Sequence, residues 1–249
     1  MLPALDLLSR TYSLYKKHLW LYLGYAAWLL VPFAAFVILT FLPDHPAVLV
    51  AGILVSILEL FLAIWLSLIF IRITAAIATR KPIDLQKTQK ETLKLITSSV
   101  RIMLLQLIVF LGGLILFIVP GIVFGIWYAF SQQALVLDNK KDLEALSTSK
   151  ALYKGRFLKL FWRLLFGPLC LAIIYSMVIG LIITIVAVAA GIDPIALYEN
   201  NTLPLWVDIF EVIGEIFFVP LFAIYITLLY LHIKHLDRSE HLEKDKALS

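Results

Sequence analysis

The chain has 249 residues, 62% of them hydrophobic and 15% charged, with a net charge of +4. A soluble domain is about 45–50% apolar and about 25% charged. At a mean hydropathy of +0.96 one core cannot hide this much apolar surface, so the bilayer must serve as solvent. The length leaves no room for an attached soluble catalytic domain, and the single cysteine, Cys170, excludes an intramolecular disulfide and a multi-cysteine metal centre.

The first residues carry Leu5, Leu8, Tyr12, Tyr15 and Leu19 at helical spacing and predict a short amphipathic helix. It leads into an apolar run over 19–42, of spanning length and longer than the roughly 7–15-residue core of a signal peptide. Pro43-Asp44-His45-Pro46 follows in place of a cleavage site and joins it to a second run, 47–71. No lipidation or prenylation box is present. A second amphipathic stretch, 84–100, has Leu93, Ile96, Val100 and Met103 on its stripe. Runs 102–119 and 121–137 follow, joined by Pro120-Gly121, a dipeptide that breaks helices. The latter is the shortest run and ends in Ser131-Gln132-Gln133, so the 102–137 hairpin either crosses or stops short of the far surface. A third amphipathic stretch, with Leu143, Leu146, Tyr153 and Phe157, opens the last pair, 160–190 and 203–233. Their connection, Gly191 to Pro204, carries Asp193, Pro194 and Glu199. A spanning helix needs about 20 residues, and helices are required because lipid cannot bond a free backbone.

Leu5-Asp6-Leu7-Leu8-Ser9 recurs 138 residues later as Leu143-Glu144-Ala145-Leu146-Ser147, and Leu14-Tyr15-Lys16 as Leu152-Tyr153-Lys154. The pattern predicts an all-α integral membrane six-helix bundle built from three hairpins, each preceded by a short interfacial amphipathic helix. The chain reads as one polytopic domain over 1–249, with repeat-like units 1–79, 82–138 and 139–236 and a charged tail 237–249.

All 21 lysines and arginines lie in the stretches flanking the hairpins, Arg10 to Lys17, Arg72 to Arg101, Lys140 to Arg163 and Lys234 to Lys246. Seven of the 17 acids lie instead in the spans or the other turns: Asp44, Glu59, Asp193, Glu199, Asp208, Glu211 and Glu215. Carrying a basic residue through the bilayer centre costs about 2.5–3.5 kcal/mol, which places both termini in the cytoplasm. Trp20, Trp162 and Trp206 begin runs, as interfacial anchors do. Lys16, Lys17, Lys154, Arg156 and Lys159 border the amphipathic helices and are candidate contacts for anionic lipid. The same rule explains the basic face better than nucleic-acid binding does.

The stretch from Phe117 to Trp162 contains Val119-Pro120-Gly121, Trp127-Tyr128-Ala129-Phe130, Ala134-Leu135-Val136-Leu137-Asp138, Glu144-Ala145-Leu146-Ser147 and Lys154-Gly155-Arg156-Phe157. It resembles the membrane domain of the glycerophosphoryl diester phosphodiesterase membrane-domain family and related multi-pass proteins of bacteria and archaea. Gln132 and Gln133 stand where that family has a proline before the Ala-Leu-Val-Leu-Asp stretch. Some members carry a phosphodiesterase barrel after the membrane part. No such segment is found in this sequence, so the resemblance implies a membrane module without that activity.

Glu59 lies mid-span, and Asp208, Glu211 and Glu215 share one helix face. A carboxylate in hydrocarbon is protonated, paired or facing a wet cavity, so these four are candidates for a polar cavity that takes a proton, a cation or a head group. His232, His235 and His241 lack a carboxylate or cysteine to complete a metal set. No nucleophile elbow, phosphate loop or paired catalytic carboxylates occur, and no cofactor is expected. The expected function is a non-enzymatic module of a prokaryotic cytoplasmic membrane that contacts lipids or a cytosolic or membrane protein. A small transporter or channel using the embedded acids is the alternative, and an intramembrane enzyme ranks third.

Overall fold

The computed structural model describes residues 3–199 and 203–248, without the side chains of residues 116, 196, 198, 199 and 238–248. His241, Glu199 and most of the charged tail 237–249 therefore have side chains outside the described residues. Among the described residues all regular structure is helical: α1 (Ala4–Lys17), α2 (Leu19–Ala26), a 3₁₀ turn (Ala27–Leu29), α3 (Leu30–Thr40), α4 (Pro46–Ala78), α5 (Leu85–Leu116), α6 (Ile118–Trp127), α7 (Ser131–Asp138), α8 (Asp142–Ala151), α9 (Phe157–Ala189), α10 (Pro194–Glu199) and α11 (Leu205–Leu248). Six stretches are long and apolar enough to cross a membrane: Leu19–Thr40, Pro46–Ala78, Leu85–Ile115, Ile118–Asp138, Phe157–Ala189 and Leu205–Asp237. They overlap the six runs read from the sequence and fit a multi-pass membrane protein.

Local chemistry sets the helix ends. The His45 ring Nδ1 accepts from the Ala47 amide at 3.1 Å, and Pro46 opens α4, where its missing N–H costs nothing. Arg80, at φ 55°, closes α4 in a left-handed cap, with the Lys81 amide on the Ala76 carbonyl. Asp84 caps α5 by accepting from the Lys87 amide at 3.0 Å. Asn139, at φ 54°, ends α7 as Arg80 ends α4. Nothing interrupts the chain between Val100 and Ile102, so the expected separate helix at 84–100 is instead the first half of α5.

Two compact units emerge, neither a consecutive stretch of chain. The first comprises Met1–Leu14, Ile64–Gly167 and Ala223–Ser249; the second comprises Tyr15–Ala63 and Pro168–Phe222. In the first, Ile64, Leu68 and Ile71 of α4 cluster with Ile102 of α5, residues 134–136 of α7, and Ala145 and Leu146 of α8. In the second, Ile179, Ile183 and Ala187 of α9 pack on Leu197 of α10 and Val207 of α11. There α11 approaches α9 at Gly214, where a Cβ would sit 2.5 Å from the Ile179 side chain.

One residue separates α5 from α6. Phe117 is extended, at φ −166° and ψ 155°, and Pro120 falls in the first turn of α6, where no intrahelical donor is needed. The turn expected at Pro120-Gly121 thus lies three residues earlier, and Gly121 has another task. A Cβ on Gly113 would meet the Gly121 Cα at 2.8 Å, so the two helices touch backbone to backbone. Farther along, Gly125 faces the Phe110 ring, Gln106 donates to the Tyr128 carbonyl, and Gln132 pairs with Ser99. These contacts run the chain from Ile118 to Gln132 antiparallel beside α5, from Gly113 back to Ser99.

The amphipathic segments bury small polar residues and expose bulky apolar ones. Thr11, Thr92, Ser99 and Ser149 are buried, while Leu5, Tyr12, Leu93, Val100, Met103 and Leu143 are exposed. The apolar stripes read from the sequence are thus divided, with Tyr15, Leu146 and Tyr153 buried and the six residues above exposed. The hydroxyls of Thr11 and Thr92 bond the Leu7 and Thr88 carbonyls of their own helices, at 2.8 and 2.9 Å. Lipid solvates a leucine as well as a core does, and small residues let helices approach closely. Only 11% of the apolar window of α4 is buried inside the protein, so its surface requires lipid.

The α5–α6 contact gives a paired test. Gly113→Leu should destabilise the protein by at least about 1–3 kcal/mol, as overpacking does. Gly112→Leu, whose Cβ meets nothing within 4 Å, should change stability little. Thermal unfolding of both variants in one detergent checks the contrast.

Candidate functional site

Helical bonding lapses between α6 and α7, at residues 128–130. The groups released there are met by side chains. The Ser149 hydroxyl donates to the Trp127 carbonyl at 2.7 Å and accepts from the Phe130 amide at 3.1 Å. The Tyr128 carbonyl takes the Gln106 amide and the Ser131 hydroxyl. Irregular backbone at membrane depth is tolerated only where protein satisfies it in this way. The Phe130 ring is held between Tyr153 and Tyr230, with each centroid 5.8 Å away.

Past this break, α7 ends at Asp138. The Tyr230 hydroxyl of α11 donates to its carboxylate at 2.6 Å, and the Lys234 ammonium, one turn along α11, pairs with it as well. Arg72 of α4 pairs with Glu91 of α5. Both clusters face a cavity of about 810 Å³, whose charged lining is Arg72, Lys81, Asp84, Lys87, Glu91, Asp138 and Lys234. Sequence reasoning did not single out this site. Its one sequence signal is an acid that ends an apolar run directly before a helix stop, Asp138-Asn139.

A second cavity of the first unit, about 700 Å³, lies along α6, α8 and the start of α9. Its walls are Val123, Trp127, Ala151, Tyr153 and Phe157, with Ser147, Lys150 and Lys154 at its edge. The Lys150 ammonium sits 4.5 Å from the Trp127 ring centroid, within cation–π range. Burial raises the pKa of the Tyr153 hydroxyl, which has no hydrogen-bond partner. Burial also pushes Tyr15 up to about 12.

The lysines expected to contact lipid, Lys16, Lys17, Lys154 and Lys159, are exposed. Arg156 departs from that expectation. Its side chain is only 12% exposed and pairs with Asp237 at 3.2 Å, so it ties the α8–α9 turn to α11.

The predicted acids belong to the second unit. Asp208, Glu211 and Glu215 line a cavity of about 290 Å³ with Phe33, Phe36, Val37 and Thr40 of α3. Glu59 is exposed on α4 and outside that lining. The Tyr175 hydroxyl donates to the Glu211 carbonyl at 3.3 Å. Among the described residues no three histidine, cysteine or acidic side chains converge as metal ligands, and His232 and His235 form no such group.

In comparisons with known proteins, no family model, no curated protein and no solved structure matches this chain.

The Asp138 cluster is testable by stability. Asp138→Ala should cost about 1.5–3 kcal/mol, because it strands the Tyr230 hydroxyl and Lys234. Tyr230→Phe should cost about 1 kcal/mol, and the double variant less than the sum of the two. Thermal unfolding of the three proteins measures the coupling.

Proposed function

We propose that this is a non-enzymatic multi-pass membrane protein that holds anionic phospholipid in the groove along α6, α8 and α9, with its basic surface and both termini on the cytoplasmic side. One observation carries the reading: two exposed lysines, Lys150 and Lys154, line an otherwise largely apolar cavity. Among the described residues neither Lys150 nor Lys154 has a carboxylate partner. An acyl chain suits the walls of Val123, Trp127 and Phe157. The lysines attract the head group, at about 1 kcal/mol for each basic residue near an anionic surface.

Charge supports the orientation. Of the 21 lysines and arginines only Lys16 and Lys17 belong to the second unit, which holds seven of the 17 acids. The basic residues thus segregate as the positive-inside rule requires. The likeness of residues 117–162 to the phosphodiesterase-associated membrane domain points to a prokaryotic cytoplasmic membrane and to a module without catalysis of its own.

Helix lengths support one finer point. From Arg72 back to Pro46, and from Arg163 on to Ala189, the chain rises about 39 Å. From Arg101 to the Phe117 turn it rises only about 24 Å, less than the roughly 30 Å of hydrocarbon. The residues at that turn, Phe117, Ile118 and Val119, are all apolar and exposed. The α5–α6 hairpin therefore ends inside the hydrocarbon.

A second reading, cation transport, is favoured by the convergence of Asp208, Glu211 and Glu215 on one cavity. The lysine-lined groove is the larger, at about 700 Å³ against about 290 Å³, and joins its charges to an apolar wall that suits an acyl chain.

Native mass spectrometry of the purified protein should show phosphatidylglycerol retained over phosphatidylcholine. Lys150→Ala/Lys154→Ala should lose about thirtyfold in that preference, as expected for two lysines at about 1 kcal/mol each. Equal retention of both lipids by the wild type would refute the groove assignment. For orientation, Cys170→Ala supplies a cysteine-free background. A membrane-impermeant maleimide should then label Asp44→Cys on intact cells and reach Lys159→Cys only after lysis; the reverse pattern contradicts the proposed sidedness.

A further inference from the structure

We propose that the cavity lined by α4, α5, α7 and α11 binds a phosphate group. Its carboxylates are already matched within the wall. Glu91 takes Arg72, Asp138 takes Tyr230 and Lys234, and Asp84 caps α5. The cations are not matched in the same way. Lys81 lines the cavity with no carboxylate partner among the described residues. Lys87 reaches Glu91 only at 4.0 Å, with its side chain 70% exposed. Two of the three acids, Glu91 and Asp138, are thus held by cations of the wall, and Asp84 accepts a backbone amide. Lys81 and Lys87 remain to meet an anion.

The anion carries more than one charge and several acceptor oxygens. Lys81 and Lys87 present two ammonium groups, and a phosphate monoester, with a charge of about −1.5 to −2 and three acceptor oxygens, engages both. A single carboxylate leaves one of them unanswered. The volume of about 810 Å³, with Ala75, Ala76, Ile83, Val136 and Leu231 on the apolar part of the wall, admits a phosphate attached to a larger uncharged body. That body is either the glycerol end of a phospholipid or a soluble phosphomonoester. Lys150 and Lys154 do not line this cavity, so the site stands or falls independently of the lipid groove.

The full-length protein in neutral detergent is melted in sodium phosphate and in sodium chloride of equal ionic strength. It is also melted in nanodiscs of phosphatidylcholine with and without phosphatidic acid. Inorganic phosphate or phosphatidic acid should raise the melting temperature by about 3 °C near saturation. A rise with phosphatidic acid alone assigns the phosphate to a head group; a rise with inorganic phosphate assigns it to a soluble ligand. In a Lys150→Ala/Lys154→Ala background, which silences the lipid groove, Lys81→Ala/Lys87→Ala should abolish the rise, and Lys94→Ala, an exposed lysine outside the lining, should keep it. No rise with either probe, an undiminished rise in Lys81→Ala/Lys87→Ala, or loss of the rise in Lys94→Ala overturns the proposal.

Discussion

Hydrocarbon offers no hydrogen bond to a free amide or carbonyl, and the chain between α6 and α7 breaks its helical ladder. The position of several other elements follows from how that break is mended. Ser149 must lie against Trp127 and Phe130, which fixes α8 beside α6. Gln106 and Ser99 must lie opposite Tyr128 and Gln132, which fixes the register of α5. With α5 and α8 so placed, Arg101 stands 3.3 Å from Asp142, and Ile102 enters the cluster formed by Leu135 and Leu146. With α7 so placed, Asp138 meets Tyr230 and Lys234. Losing a single hydroxyl such as that of Ser149 would leave both an amide and a carbonyl without a partner, each at a cost of about 1–3 kcal/mol.

The same solvent relaxes the usual sorting of side chains, leaving many leucines and isoleucines exposed beside a core that is still largely apolar. Leucine gains nothing by leaving lipid for a protein interior, so the helices use their contact faces for residues that shorten the distance between backbones or make hydrogen bonds across it. Gly113 against Gly121 and Gly214 against Ile179 do the first; Ser99 against Gln132 does the second. Charged residues follow a different logic. Arg72, Arg101 and Arg156, each near the end of an apolar run, pair with an acid of another element, so these guanidiniums fasten helices as well as mark the membrane boundary.

Six apolar runs and the helical class were legible in the sequence because length and hydropathy are properties of a run by itself. Gln106 and Gln132 were legible as helix-to-helix bonding groups for the same reason: an amide in a span needs a partner. Three features were not. The α5–α6 turn was placed at Pro120-Gly121 because a proline reads as a breaker, although in a first helical turn it breaks nothing. Which stripe residues of the amphipathic segments are buried was not legible either: Tyr15, Leu146 and Tyr153 are buried while Leu5, Tyr12 and Leu93 are exposed, a choice set by the neighbouring helices. The Asp138 cluster joins residues 92 and 96 positions apart, and no local pattern announces that meeting. Of the predicted acids, the spacing of Asp208, Glu211 and Glu215 correctly implied a shared face, while Glu59 lies on a different helix whose rotation the sequence could not supply.

If the α5–α6 hairpin ends inside the hydrocarbon, as proposed, the two monolayers feel it unequally. A helix that crosses the bilayer adds cross-sectional area to both monolayers alike. A hairpin about 24 Å deep in about 30 Å of hydrocarbon adds two helical cross-sections through the monolayer it enters, and only through part of the one beyond. Lipids must then spread on one side and fill the space past Phe117 on the other. Such a wedge costs least where the membrane already bends toward the relieved monolayer, so the chain would sense curvature through its shape alone, before any charge on its surface meets a head group.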